Sequence, residues 1–254
     1  MRDFYSETLG KLICRGEITA SDSVLVTCGG KVDRDTLLSV GFQKATITNV
    51  DRQFPPDVFA PYSWDFQDAE SLNYADSTFD LVISHSGLHH CRSPHRALLE
   101  MYRVARKGVL VFEPRDSLLL RLGVKLGFGQ DYELAAVIAN EERCGGVSNS
   151  AVPNYVYRWT KREVEKAVRS YAPETKHRLE YFYALRIPTR ALSQKRRKLH
   201  LYVANIFGLL AGLAGVFPFM ANNIAFFIAK PQLPRDLQPW LRLHGHEVEF
   251  ASSQ

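Results

Sequence analysis

Short apolar runs rich in β-branched residues recur along the first half of the chain, each closed by a glycine or a polar residue. Ser23-Val24-Leu25-Val26-Thr27 ends at Cys28-Gly29-Gly30, and Ala45 to Val50 closes on Asp51. A loop marked by Pro55, Pro56 and Pro61 leads into the short run Ser63-Trp64-Asp65-Phe66. Phe79 to Ser84 carries Phe79, Leu81, Val82 and Ile83, and Val109-Leu110-Val111-Phe112 stops at Glu113. Near-continuous apolar runs of this length read as strands buried on both faces. Helical spacing fills the intervals. A lead-in helix is expected from Asp3 to Glu17. Asp33 is placed to cap a helix through Leu37, Leu38 and Val40, with Gly41 as its stop. Ser93-Pro94 starts another, with Leu98, Met101, Tyr102 and Ala105 at helical spacing and Lys107-Gly108 as its end. Strands alternating with helices predict an α/β fold with a parallel sheet covered on both faces.

After Glu113 the spacing loosens. Gly127, Gly129, Gly145 and Gly146 punctuate a long insertion that carries Tyr132, Tyr155, Tyr157 and Trp159. Insertions of this length are often lids, and these aromatics either line a ligand pocket or pack the insertion onto the domain. Thr160-Lys161-Arg162-Glu163 is a capping box, continued by the apolar face Val164, Ala167, Val168 and Tyr171. Strands are expected from Leu179 to Leu185 and from Asn223 to Ala229. Leu199 to Ala229 holds no Asp, Glu, Lys or Arg and follows the basic run Lys195-Arg196-Arg197-Lys198. Its first part, Leu199 to Phe217, reads as a helix apolar nearly all round. A single membrane crossing would leave Ile224 to Ala229 on the wrong side of the bilayer. The segment 195–217 therefore caps the domain or lies on an anionic membrane surface, and the second reading is favoured.

The net charge of +5 is modest, and much of the excess sits in that one run. A nucleic-acid binder would spread basic residues along a face and interleave aromatics, so nucleic acid is not an expected partner. Cys14, Cys28, Cys91 and Cys144 are far apart and form no C-x-x-C pair. That argues against a disulfide framework and a structural zinc site, so no metal is expected and a reducing, cytoplasmic compartment fits. No apolar stretch near the N-terminus resembles a signal peptide.

Open α/β sheets bind ligands at the carboxyl ends of their strands, which directs attention to three segments. Cys28-Gly29-Gly30 lets a ligand approach the backbone ahead of a helix N-terminus, although glycine here is more often a plain turn. Asp51 offers two oxygens that can accept both hydroxyls of a ribose, against the alternative of a solvated loop aspartate. Asp68-Ala69-Glu70 can accept from an exocyclic amine, or can cap a helix.

Taken in order, these segments resemble the S-adenosylmethionine-dependent methyltransferases of the type-11 family. The resemblance rests on Val24-Leu25-Val26-Thr27-Cys28-Gly29-Gly30, Asp51 and Asp68-Ala69-Glu70-Ser71-Leu72. It continues through Phe79-Asp80-Leu81-Val82 with Leu88-His89-His90, and Leu98-Leu99-Glu100-Met101-Tyr102-Arg103-Val104 ahead of Lys107-Gly108. It is good over residues 20–115 and looser to Lys230. It implies a Rossmann-like, mostly parallel seven-stranded sheet with the last strand antiparallel and helices on both faces, plus a hydrophobic helical insertion. The expected organisation is one methyltransferase domain over 1–232, with a lid insertion at 116–159, a helical insertion at 190–221, and a tail at 233–254 that is poorly ordered or packed on the surface.

The resemblance implies S-adenosylmethionine as cofactor and a small-molecule or lipid-linked acceptor. Cys28, Gly29 and Gly30 would pass its methionine and ribose parts, Asp51 would hold the ribose, Asp68 and Ala69 would meet the adenine, and Ser84 would border cofactor and acceptor. His85 is the first candidate for a catalytic base and His89, with His90, the second; at the start of a helix a histidine is more often a packing or capping residue. One departure stands out. The family's first strand usually carries an acid and ends in G-x-G-x-G, whereas this chain has Val26, Gly29 and Gly30, then Lys31 and Val32. That departure motivates the rival reading of a non-catalytic binding protein on the same fold. A nicotinamide-dependent oxidoreductase ranks behind both, since G-x-G-x-x-G is missing after the first strand.

Overall fold

Side chains alternate across the central strands, and both sides meet apolar partners. The computed structural model describes residues 3–51, 55–125, 130–185, 221–245 and 247–251. Its main sheet is built from β1 (Ser23–Thr27), β2 (Lys44–Asn49), β3 (Ser63–Phe66), β4 (Phe79–His85), β5 (Ala105–Pro114), β6 (Arg178–Ala184) and β7 (Asn223–Ala229). The order across the sheet is β3-β2-β1-β4-β5-β7-β6. The first five strands are mutually parallel, and β7 runs antiparallel between β5 and β6. The expected sheet and its antiparallel last strand are both present, with that strand inside the sheet.

The period of two along each strand divides the core into two layers. Val24, Val26, Leu81, Ile83, Leu110, Phe112 and Phe227 face one side, where Tyr5, Leu9 and Leu12 of α1 (Phe4–Cys14) and Leu37 of α2 (Lys31–Val40) cover them. Leu25, Val82, Val109, Val111, Phe226 and Ile228 face the other, under α3 (Pro94–Val104) and α6 (Lys161–Tyr171). The helices start where their caps allow. The Ser93 Oγ accepts from the Arg96 N–H at 3.3 Å, and Thr160 with Glu163 closes the expected capping box.

Three helix boundaries differ from the reading of the sequence. Helix α1 stops at Cys14, short of Glu17. Helix α2 begins at Lys31, not after Asp33: Gly30 is its N-cap, and Asp33, one turn in, accepts the Gly30 N–H at 2.8 Å. Helix α3 ends at Val104 and passes directly into β5, so Lys107-Gly108 lies in the strand. The reason is packing. A Cβ on Gly108 would stand 2.5 Å from the Phe227 ring on β7, so the glycine admits a neighbouring strand's aromatic instead of stopping a helix. Lys107 meanwhile reaches Asp22 at 2.6 Å.

The insertion 116–159 contains α4 (Leu118–Lys125) and α5 (Leu134–Ala139) and is not irregular throughout. The tail packs on the surface and forms a hairpin of β8 (Leu241–His244) and β9 (Glu247–Phe250). It is moored by the Lys176 N–H to the Asp236 carbonyl at 2.7 Å and by buried Leu237. Gly127, Gly129, the basic run 195–198 and the apolar stretch 199–217 lie outside the described residues. Among the described residues no helix is long and apolar enough to cross a membrane.

Candidate functional site

Strand β1 lies between β2 and β4, so the chain leaves it in both directions across the sheet. Such a switch point leaves a crevice at the carboxyl ends. The turn after β1 is pinned over that crevice. The Gly29 N–H donates to the Thr48 carbonyl at 2.8 Å, and Asn49 Nδ2 donates to the Gly29 carbonyl at 2.9 Å. Gly29 is held there by packing: a Cβ would meet Ile47 at 2.7 Å and Val26 at 2.8 Å. Around Gly30 the space is open.

A cleft of about 240 Å³ occupies the crevice, lined by Cys28, by Asn49 and Val50 at the end of β2, by Gln67 to Glu70 after β3, and by Ser86 and Gly87 after β4. Its rim is His90, Cys91 and the insertion's Gly145, Gly146, Ser148 and Asn149. A second cleft of about 220 Å³ lies beside it, bounded by Tyr5, His85, Ser86, Phe112, Glu113 and Asn223. Ser86 lines both.

The structure brings Cys28, Asp68 and Ala69 together in the first cleft. Gly29 and Gly30 form the turn behind Cys28, and Asp51 follows Val50, its N–H donated to Asn49 Oδ1 at 3.0 Å. Ser84 is buried, its Oγ without a hydrogen-bond partner, 3.3 Å below the position a Gly87 Cβ would take. His85 borders the second cleft, stacked on Tyr5 at 4.6 Å and edge-on to Phe112. His89 lines neither cleft. Its Nδ1 is 2.6 Å from Glu113 Oε2, and its Nε2 is 3.4 Å from Glu133. Burial alone would lower the His89 pKa, but the Glu113 carboxylate, aided by Glu133, more than reverses this and raises it to about 10. At neutral pH His89 is therefore an imidazolium and has no lone pair to accept a proton. Glu133 in turn is held down at about 2 by its hydrogen bond to His89.

Asn49, Gln67, Ser86 and Gly87 were not read from the sequence as site residues, though each lies within three residues of a strand end that was. The rim at Gly145 to Asn149 gave only its glycine pair as a signal. Glu113 and Glu133 reach His89 from remote stretches of chain, which no local pattern shows.

Cys28 takes φ +53°, the left-handed region where a side chain is strained. The Gly87 backbone is packed against it: a Gly87 Cβ would meet the Cys28 Cβ at 2.4 Å. Gly87→Ala should therefore cost about 1–3 kcal/mol. Cys28→Gly should recover part of that loss in the double variant, as well as relieving its own strain. Additive effects in a denaturation cycle would show that the two positions do not collide. Cys28 and burial together push the Cys91 thiol far up, so Cys91 stays a protonated wall of the cleft.

Behind the turn, burial raises the Asp33 carboxyl from 3.8 to about 6, against the lowering effect of the Gly30 N–H. A carboxyl whose folded-state pKa is raised loses stability as pH climbs from the unfolded value through the folded one, and the cost persists above it. Asp33→Asn keeps an acceptor for Gly30 and removes the charge. Relative to wild type, the variant should gain about 1–3 kcal/mol at pH 7.5 and little at pH 4. Parallel pH–stability curves from denaturant titration would contradict this.

Residues 28–112 match the type-11 methyltransferase domain. No curated protein matches the chain. The solved structure of the YcgJ protein from Bacillus subtilis is similar over 89% of this chain and 99% of its own, with 13% identity and a TM-score of 0.53. Magnesium protoporphyrin IX methyltransferase from Synechocystis PCC 6803, solved with bound SAH, is similar over 89% and 82%, with 10% identity and a TM-score of 0.50. At such identities the likeness is one of fold.

Proposed function

We infer that this S-adenosylmethionine-dependent methyltransferase, identified by the domain at residues 28–112, transfers its methyl group to a small-molecule or lipid-linked acceptor held in the second cleft. The carrying observation is Ser86, which lines both clefts and so marks where donor and acceptor would meet. The first cleft suits the nucleoside part of the cofactor. Asp68 and the Ala69 backbone would take the adenine, and Asp51, next to the lining residue Val50, would take the ribose hydroxyls. Cys28, Gly29 and Gly30 would follow the methionine part toward Ser84 and Ser86. The unpartnered Oγ of Ser84 lies under that path. When bound, S-adenosylmethionine supplies the activated methyl group. What remains for the protein is to align the acceptor and exclude water.

His85 is the residue we assign to take a proton from an acidic acceptor atom, because it borders the acceptor cleft. For His89 we propose a positioning role: its ring, held by Glu113, fixes the turn that carries Gly87 and His90. The apolar stretch 199–229, free of Asp, Glu, Lys and Arg, supports an apolar acceptor and peripheral membrane contact through 195–217; flotation with anionic vesicles checks that contact, and failure to co-float removes it.

Calorimetric titration with S-adenosylhomocysteine tests the cofactor site. Binding in the micromolar range is expected for the wild type. Asp51→Ala and Asp68→Ala should each weaken it about 10–100-fold, as loss of a hydrogen bond to a charged group implies. Unchanged affinity in both variants would remove these residues from the site. One observation, Cys28 in its left-handed turn, favours the second reading of a non-catalytic binding protein. Wild type that does not bind the ligand, or binds it without turnover on any acceptor, would select that reading.

A further inference from the structure

The geometry points to a divalent transition-metal site formed by His89 Nε2, His90 Nε2 and a Glu133 carboxylate oxygen, with zinc the best-matched ion and the proton that His89 Nε2 carries in the metal-free chain released to solvent on binding. One ligand atom from each of the three residues lies within 4.8 Å of the other two. Glu133 Oε2 is 3.4 Å from His89 Nε2 and 3.5 Å from His90 Nε2. Both contacts are longer than the roughly 2.7–2.9 Å of a charge-assisted hydrogen bond, so the ion pairs of the metal-free chain leave the three groups loosely spaced. With zinc–ligand bonds of about 2.0–2.1 Å, a tetrahedral site places neighbouring ligand atoms about 3.3–3.4 Å apart. The two Glu133–histidine spacings match that edge.

The surroundings fit as well. A metal-binding imidazole is normally oriented by a carboxylate on its other nitrogen. Glu113, fully buried, does this at 2.6 Å from His89 Nδ1 while also accepting the Leu88 N–H at 2.8 Å. Glu133 is delivered by the insertion, whose segment at Tyr132 bridges to Tyr155, and Asn154 donates both to the His89 carbonyl at 3.1 Å and to Glu133 at 3.3 Å. The two glutamates balance a dication. His89 is buried, but His90 and Glu133 remain about one-third exposed, at 30% and 32%, which leaves an entry path. Two histidines and one glutamate leave a fourth position for water or an acceptor oxygen. Cysteine spacing speaks only to thiolate zinc sites, and this set uses no cysteine. Because His90 lines the first cleft, the ion would fasten the insertion to the cofactor site's rim.

The test uses the full chain stripped with a chelator. Titration with zinc chloride in a non-coordinating buffer should show one equivalent bound. His90→Gln and Glu133→Gln should each weaken it by about tenfold or more, and His90→Gln should leave the thermal transition of the metal-free protein in place. The cobalt(II) form should show d–d absorption without a thiolate charge-transfer band, since Cys28 and Cys91 are the nearby alternative ligands. No zinc binding by the wild type, binding undiminished in both variants, or a thiolate band would overturn the site.

Discussion

Glu113→Ala should lower folding stability by about 3–5 kcal/mol, one of the two largest effects expected of a single substitution in this chain. The side chain is fully buried and makes two polar contacts, with the Leu88 N–H at 2.8 Å and His89 Nδ1 at 2.6 Å. Removing it strands an imidazolium and a backbone donor away from water. An unpaired buried donor alone costs about 1–3 kcal/mol. His89 can escape part of the penalty by losing its proton. The loss should therefore be larger in acid, where the imidazolium must persist, than at high pH, where neutral His89 is tolerated. A double variant with His89→Leu should recover a substantial part, because it removes the stranded charge. Urea unfolding at two pH values measures all of this. A loss below about 1 kcal/mol, or no difference between the pH values, would mean the pair is solvated and the turn is held by other contacts.

Glu113 also shows why parts of the site were hidden in the sequence. Read locally, it is the polar residue that closes a buried strand. Its partner His89 lies across β5 and β4, and only the sheet register brings them together. The strands themselves were legible because burial on both faces demands unbroken apolar runs, and Val24 to Val26, Leu81 to Ile83 and Val109 to Phe112 display that demand directly. Caps at Ser93 and Thr160 were legible because their hydrogen bonds span three residues. Lys107-Gly108 misled because glycine serves two physical ends, a left-handed stop or room for a neighbour's ring, and the sequence does not say whether Phe227 is near. The β8–β9 hairpin was missed for a related reason: its strands are short and mostly exposed, so no apolar run announces them.

The insertion's aromatics separate along the same line, and Trp159 carries the other large prediction. From sequence, Tyr132, Tyr155, Tyr157 and Trp159 are equivalent. In the structure Tyr132 and Tyr155 pair edge-on at the surface, whereas Trp159 is wholly buried between His95, Tyr157 and Phe226. Its backbone joins the insertion to the sheet, with the N–H donating to the Pro114 carbonyl at 2.8 Å and the carbonyl accepting from Asp116 at 3.0 Å. Trp159→Ala should therefore cost about 3–5 kcal/mol through lost burial and the cavity left between α3, α6 and β7. Trp159→Phe should cost less than about 1.5 kcal/mol. It keeps most of the ring, and it removes an indole N–H that has no hydrogen-bond partner, which offsets part of the lost volume. The pair of variants distinguishes packing from ligand contact. If Trp159 acts by packing, stability falls with ring volume, and Trp159→Phe leaves S-adenosylhomocysteine affinity unchanged. If instead Trp159→Phe weakens ligand binding while melting as the wild type does, the indole reaches the clefts, and the insertion must open further than the geometry around Pro114 and Asp116 allows.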